Sequence, residues 1–107
     1  MQRPIKFRAW DTVYNQLIHN AQANLGYFLD DDKRWVLMQY TGMPDKNGKE
    51  IYESDILRGD HTDPNCMVKF KDGCFGIDSE DGWLDLKQFC HEEEVIGNIH
   101  ENPELLQ

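Results

Sequence analysis

The sequence predicts an all-β domain, a sandwich or small barrel, on three observations. Short apolar runs recur at spacings of about 8–12 residues, Gly, Asp and Asn punctuate them, and within several of them apolar positions alternate with a period of two. The chain has 107 residues, of which 39% are apolar and 11% aromatic, enough for one core and too few for a second independent one. Short helical turns are the most helix expected.

Ile5, Phe7 and Ala9 alternate with Lys6, Arg8 and Trp10, an amphipathic first strand that Asp11 ends. Asn15-Gln16 turn the chain into a second strand at residues 17–19. A helix over residues 12–23 competes, because Val13, Leu17 and Ala21 fall at i, i+4 and i+8; Thr12, Val13, Tyr14 and the asparagines weaken it, and strand is preferred. Residues 20–34 read as irregular, with Gly26 breaking any element and Asp30-Asp31-Asp32-Lys33-Arg34 as a solvated turn. Residues 35–40 form a strand too apolar to have one wet face, ended by Thr41-Gly42.

Asp45-Lys46-Asn47-Gly48 is a turn in which Asn-Gly supplies positive φ. Ile51-Tyr52 and Ile56-Leu57 flank Glu53-Ser54-Asp55, an entry segment that turns into a barrel strand starting at Asp55. Residues 59–65 are a polar loop containing Pro64. Residues 67–77 read as a hairpin around Asp72-Gly73, with Val68 and Phe70 on one face and Lys69 and Lys71 on the other. A second turn over residues 78–82 leads to a strand at 83–86 and a short helical turn at 86–90. Residues 95–99 are the last strand, and 101–107 a capped tail.

Charge divides the chain. Residues 1–50 carry seven basic and six acidic side chains, a balance of +1; residues 51–107 carry four and fourteen, a balance of −10. So acidic a surface repels phosphate backbones and anionic membranes, which disfavours nucleic-acid and membrane partners. Cys66, Cys74 and Cys90 are an odd number without C-x-x-C spacing, which points to free buried thiols in a reducing compartment. The first ten residues lack the apolar stretch of a signal peptide, and no run approaches the roughly 20 apolar residues of a membrane span. A cytoplasmic protein is expected.

Motifs for chemistry are missing. Cys90-His91 before Glu92-Glu93-Glu94 lacks the paired spacing of zinc ligands, and His61, Cys66, Cys90 and His91 could meet only by folding. Asp45–Gly48 and residues 78–82 end in Gly as calcium loops do, but position one of that pattern is Met43 or Ile77, neither of which ligates. There is no nucleophile motif and no phosphate-binding glycine pattern. Trp10, Tyr40, Tyr52, Phe70, Phe75 and Trp83 have few Lys or Arg neighbours in sequence, so they read as core and interface groups rather than a stacking platform for bases. No catalytic residue, cofactor or metal site is expected.

Three ordered blocks resemble the YopX family of phage and prophage proteins: residues 5–11 (I-K-F-R-A-W-D), residues 39–57 (Q-Y-T-G-M-P-D-K-N-G-K-E-I-Y-E-S-D-I-L) and residues 95–106 (V-I-G-N-I-H-E-N-P-E-L-L). The resemblance covers the whole chain and departs from the family at Met43 for Leu, Ser54 for Gly and His100 for Tyr. Ser54 suggests that its position need not adopt glycine-only geometry. The family implies a small Src-homology-3-like barrel in residues 41–107 after an N-terminal β segment in residues 1–40, one YopX-like domain in all. It implies self-association and supplies no catalytic residues. The family-motif candidates for structural or interface roles are Trp10, Gln39, Tyr40, Thr41, Gly42, Asp45, Gly48, Ile51, Tyr52, Asp55, Gly97, Asn98, Glu101 and Pro103.

The functional expectation is a non-enzymatic, phage- or prophage-encoded homo-oligomer, with a host or phage protein as a further class of partner. Short strands motivate it, because their open edges must be paired or covered. Two readings compete: a nucleic-acid or nucleoprotein binder using the near-neutral first half, and an acidic inhibitor of a host nucleic-acid-acting protein.

Overall fold

The computed structural model describes residues 4–59 and 65–106. The backbone gathers into two units, residues 1–40 and residues 41–107. Both are built mainly of antiparallel strands with one short α-helix, so the fold is all-β.

In the first unit β1 (Phe7–Asp11) pairs with β2 (Gln16–Ile18) on one side and with the first half of β3 (Trp35–Pro44) on the other. Asn15 takes φ +54° and its N–H bonds the Asp11 carbonyl at 2.8 Å, so the expected turn forms where an asparagine tolerates left-handed backbone. Ala9, Ala21, Phe28 and Trp35 make the core, with Phe7, Ile18 and Leu37 packed against it. Val36, half-exposed at 37%, gives β3 a wet side that its apolar composition does not suggest.

Residues 20–34 are less irregular than expected. A 3₁₀ turn (Ala21–Asn24) leads into α1 (Leu25–Leu29), and Gly26 lies inside that helix rather than breaking it. The helix buries Phe28, whose ring meets Trp35 edge-on at 4.9 Å between centroids. Burying one aromatic outweighs the roughly 1 kcal/mol that glycine costs a helix.

Thr41-Gly42 likewise does not end β3, which runs on to Pro44. The two residues mark a bend: Gly42 takes φ +86°, while the Thr41 hydroxyl donates to the Ile51 carbonyl (2.7 Å) and accepts the Met43 N–H (3.2 Å). Past the bend, β4 (Glu50–Tyr52) neighbours β3 in the sheet order β2-β1-β3-β4.

The second unit adds β5 (Asp55–Gly59), β6 (Cys66–Met67), β7 (Lys69–Lys71), β8 (Cys74–Ser79), β9 (Gly82–Asp85) and β10 (Glu93–Asn98). They form two three-stranded sheets, β10-β5-β6 and β7-β8-β9. Both curl around a core of Ile51, Leu57, Val68, Ile77, Leu86, Phe89, Cys90 and Val95, the barrel-like part expected. The β7–β8 hairpin turns on Asp72 (φ +53°) and Gly73 (φ +81°), the pair of positive φ angles of a two-residue type I′ turn. Short 3₁₀ turns at Leu86–Gln88 and Cys90–Glu92 lead into β10, and another at Pro103–Leu106 lies in the tail. The polar loop read over residues 59–65 lies largely outside the described residues, as does His61.

Two expectations need correction in this unit. Val68 is buried while Phe70 is 54% exposed, so they do not share a face. The chain breaks step at Val68, whose N–H and carbonyl leave the hairpin to bond the Asp55 carbonyl (2.8 Å) and the Ser54 N–H (2.9 Å). The thiols are not all buried either: Cys90 is, Cys66 is half-buried, and Cys74, beside the hairpin turn, is exposed.

Ser54 does adopt the left-handed geometry that glycine favours, at φ +71°. Its N–H bonds Val68 and its carbonyl accepts the Ile99 N–H at 2.9 Å, so neighbouring segments hold it there. A side chain in that region costs about 1–2 kcal/mol, partly offset by the greater unfolded-state freedom of glycine. Ser54→Gly is therefore expected to raise stability by about 0.5 kcal/mol, read as a higher urea midpoint at unchanged slope.

Candidate functional site

Asp45, Asp55, Asn98 and Glu101, four of the polar motif candidates, lie where the middle and closing blocks of the sequence meet. Asp45 is buried, and its carboxylate accepts three backbone N–H groups. Oδ1 takes those of Asn47 (2.8 Å) and Lys49 (2.9 Å), closing the turn; Oδ2 reaches fifty residues along the chain to Val95 at 3.0 Å. The Lys46 N–H adds a bond to the Glu93 carbonyl at 2.9 Å. Together they cover backbone on the side of β10 away from β5, doing there what a partner strand would do. Burial pushes the Asp45 carboxyl up, but the donors from Val95, Lys49 and Asn47 outweigh it and hold the pKa below the ordinary 3.8.

Asp55, also buried, accepts the Tyr52 N–H at 2.8 Å and stands opposite Asn98 in the β5–β10 register. Asn98 Oδ1 accepts the N–H groups of His100 (3.0 Å) and Glu101 (2.9 Å), while its amide donates to Glu101 Oε1 at 2.8 Å. Asn102 closes back on the same residue, its Oδ1 accepting the Asn98 N–H at 3.2 Å. That side chain lies directly over Gly97, where a Cβ would strike it.

The remaining candidates lie in strands and turns. Ile51 and Tyr52 are buried, Gly42 and Gly48 take φ of +86° and +82°, and Pro103 opens the last 3₁₀ turn. Gln39 and Tyr40 continue β3, where Gln39 stands opposite Phe7 and Lys6 lies 5.7 Å from the Tyr40 ring. Trp10, 8% exposed, sits in β1 opposite Leu17 and Val36.

Chemistry finds less here. Cys90 Sγ lies 3.6 Å from His91 Nδ1, but burial pushes the thiol pKa above 9.0. Burial also raises Cys66, so neither is set up as a thiolate nucleophile. An open groove of about 300 Å³ is lined by Asn65, Cys66, Met67, Lys69, Asp78 and Leu106, with Lys69 paired to Asp78 at 2.8 Å. Among the described residues no three His, Cys, Asp or Glu side chains come together as a metal site, and no helix is long and apolar enough to cross a membrane.

Sequence reasoning passed over a second cluster, in the first unit. The Arg34 guanidinium lies 4.5 Å from the Trp35 ring and 5.3 Å from that of Tyr14. It also bonds Asp11 twice, Nε to Oδ1 at 3.1 Å and Nη2 to Oδ2 at 3.0 Å. The bond from Arg34, helped by the Val13 and Tyr14 N–H groups against burial, holds Asp11 well below the usual carboxylate range. Tyr27, 54% exposed, contacts Trp35 at 5.9 Å. The signal available in the sequence was the absence of Asp, Glu, Lys and Arg from residues 12–29.

The family described as YopX protein matches residues 16–107. The SPbeta prophage-derived uncharacterized protein YopX of Bacillus subtilis (strain 168) is 36% identical over 74 residues, covering 56% of this chain and 52% of that protein. The chain thus spans about half the length of the curated relative it matches. The crystal structure of protein EF1440 from Enterococcus faecalis is 30% identical and superposes with a TM-score of 0.72, covering 99% of this chain and 100% of that one. The family match spans most of the chain, and the chain belongs to the YopX family.

Proposed function

We propose that the chain is a prophage-encoded, non-enzymatic protein that acts by binding, first of all to copies of itself. The observation carrying this reading is where the exposed large apolar side chains lie. Among the described residues six of eight (Ile5, Val13, Tyr14, Tyr27, Leu29 and Val36) belong to residues 1–40; Phe70 and Leu106 are the others. Apolar groups gathered on a small unit mark a surface that associates.

The motif chemistry supports the same reading. Asp45, Asp55 and Asn98 direct polar atoms to backbone groups of their own unit. Such carboxylates and amides are framework, whereas a catalytic site aims them into a pocket. The prophage setting rests on the likeness to the SPbeta prophage-derived protein of Bacillus subtilis. Size-exclusion chromatography with light scattering at micromolar concentration tests the reading. The expected mass is a multiple of the monomer mass; a monomer throughout overturns it.

A further inference from the structure

We infer that two copies meet through the uncharged face formed by residues 12–29, with Tyr14 and Tyr27 at its centre. This rests on the self-association proposed above and says where it occurs.

Residues 12–29 contain no Asp, Glu, Lys or Arg in a chain that is 29% charged. They supply the β1–β2 turn, β2, the 3₁₀ turn and α1. Four of their apolar side chains stay largely in water: Val13 (58% exposed), Tyr14 (69%), Tyr27 (54%) and Leu29 (63%). Ring contacts tie the turn to the helix beneath these side chains, from Tyr14 through Arg34 and the buried Trp35 to Tyr27. The cation in that chain is matched in place by its two bonds to Asp11. Tyr is among the residue types that dominate protein–protein binding energy, and the buried Trp35 and paired Arg34 hold the two tyrosines in place.

Charge selects the occupant. A basic partner would be drawn instead to residues 51–107, with their balance of −10, and an acidic one would find an arginine already paired. A second copy repels its twin wherever the acidic residues face each other. On the uncharged face it meets no such penalty. β2 is also the outermost strand of its sheet, so backbone as well as side chains is placed for the contact.

The test is analytical ultracentrifugation of the whole chain, the variants Tyr14→Glu and Tyr27→Glu, and the control Phe70→Glu, an exposed aromatic of the other unit. Each tyrosine variant is expected to weaken association about tenfold or more, with Phe70→Glu unchanged. Association of the unmodified chain should tighten with added salt, because screening relieves acidic repulsion; an interface built on charge pairing would loosen. Tyr14→Ser and Tyr27→Ser, checked by circular dichroism, carry the reading if the charged variants misfold. An oligomer indifferent to both tyrosines, or broken by Phe70→Glu, overturns this interface and leaves self-association standing. A monomeric unmodified chain overturns both.

Discussion

Asp45→Ala is expected to cost about 3 kcal/mol and lower the thermal midpoint by about 15 °C. The effect comes from what the side chain leaves behind. Three backbone N–H groups lose their acceptor at once, and the one at Val95 lies in a strand whose own side chain is only 8% exposed. Water can reach the turn at Asn47 and Lys49 more easily than it can reach Val95. Asp45→Asn separates the contributions: it keeps one carbonyl oxygen for the turn, gives up an acceptor, and should cost about half as much.

The pH dependence has a definite sign. Asp45 is lowered below 3.8 in the folded chain, so the ionised form is the one folding prefers. Its contribution is complete above the unfolded carboxyl pKa of about 3.9 and is lost as pH falls through the lower folded value. Asp11, held down first by Arg34, and Asp78, held down first by Lys69, act in the same direction. Urea midpoints should be level from neutral pH to about pH 5 and fall below pH 4, less steeply in Asp45→Asn. An unchanged acid limb in that variant would show that the carboxylate is not what holds the turn to β10.

Much of the fold was legible because it depends on local rules. Asp72-Gly73 turns the hairpin and Asn15 closes the first one, since left-handed backbone suits those residue types. The misreadings share a physical cause. Gly26 and Thr41-Gly42 looked like breakers by local preference, yet Phe28 packing on Trp35 and the Thr41 bond to Ile51 override it through partners distant in sequence. Val68 and Phe70 parted because a break in step between β6 and β7 cannot be seen in alternation alone. The motif named the framework residues without their roles: nothing local shows that Asp45 reaches Val95, or that Asp55 stands opposite Asn98. The proposed interface left one trace, its missing charges, and only the folded chain links Tyr14 to Tyr27, through Arg34 and Trp35.

Gly76→Ala should be as damaging as Asp45→Ala, about 3 kcal/mol, although it adds a single methyl group. Gly76 stands in β8 between Lys69 of β7 and Asp85 of β9. An added Cβ would run into the Leu84 carbonyl oxygen and lie 2.7 and 2.8 Å from two ring carbons of Trp83. Neither obstacle yields cheaply. The carbonyl belongs to the neighbouring strand, and the indole is fixed by its N–H bond to Asp85 (3.0 Å) with Lys71 5.4 Å above its ring. Trp83→Ala in the same chain should recover only part of the loss, because the carbonyl remains; the difference in a double-mutant cycle measures the ring's share. Gly26→Ala provides the opposite control. Nothing lies within 4 Å of a Cβ there, the residue is helical, and the same substitution should stabilise by up to about 1 kcal/mol. Opposite signs from one chemical change would locate the cost in the close approach of β8 and β9; equal effects at the two glycines would mean that the strands are not packed this tightly across Gly76.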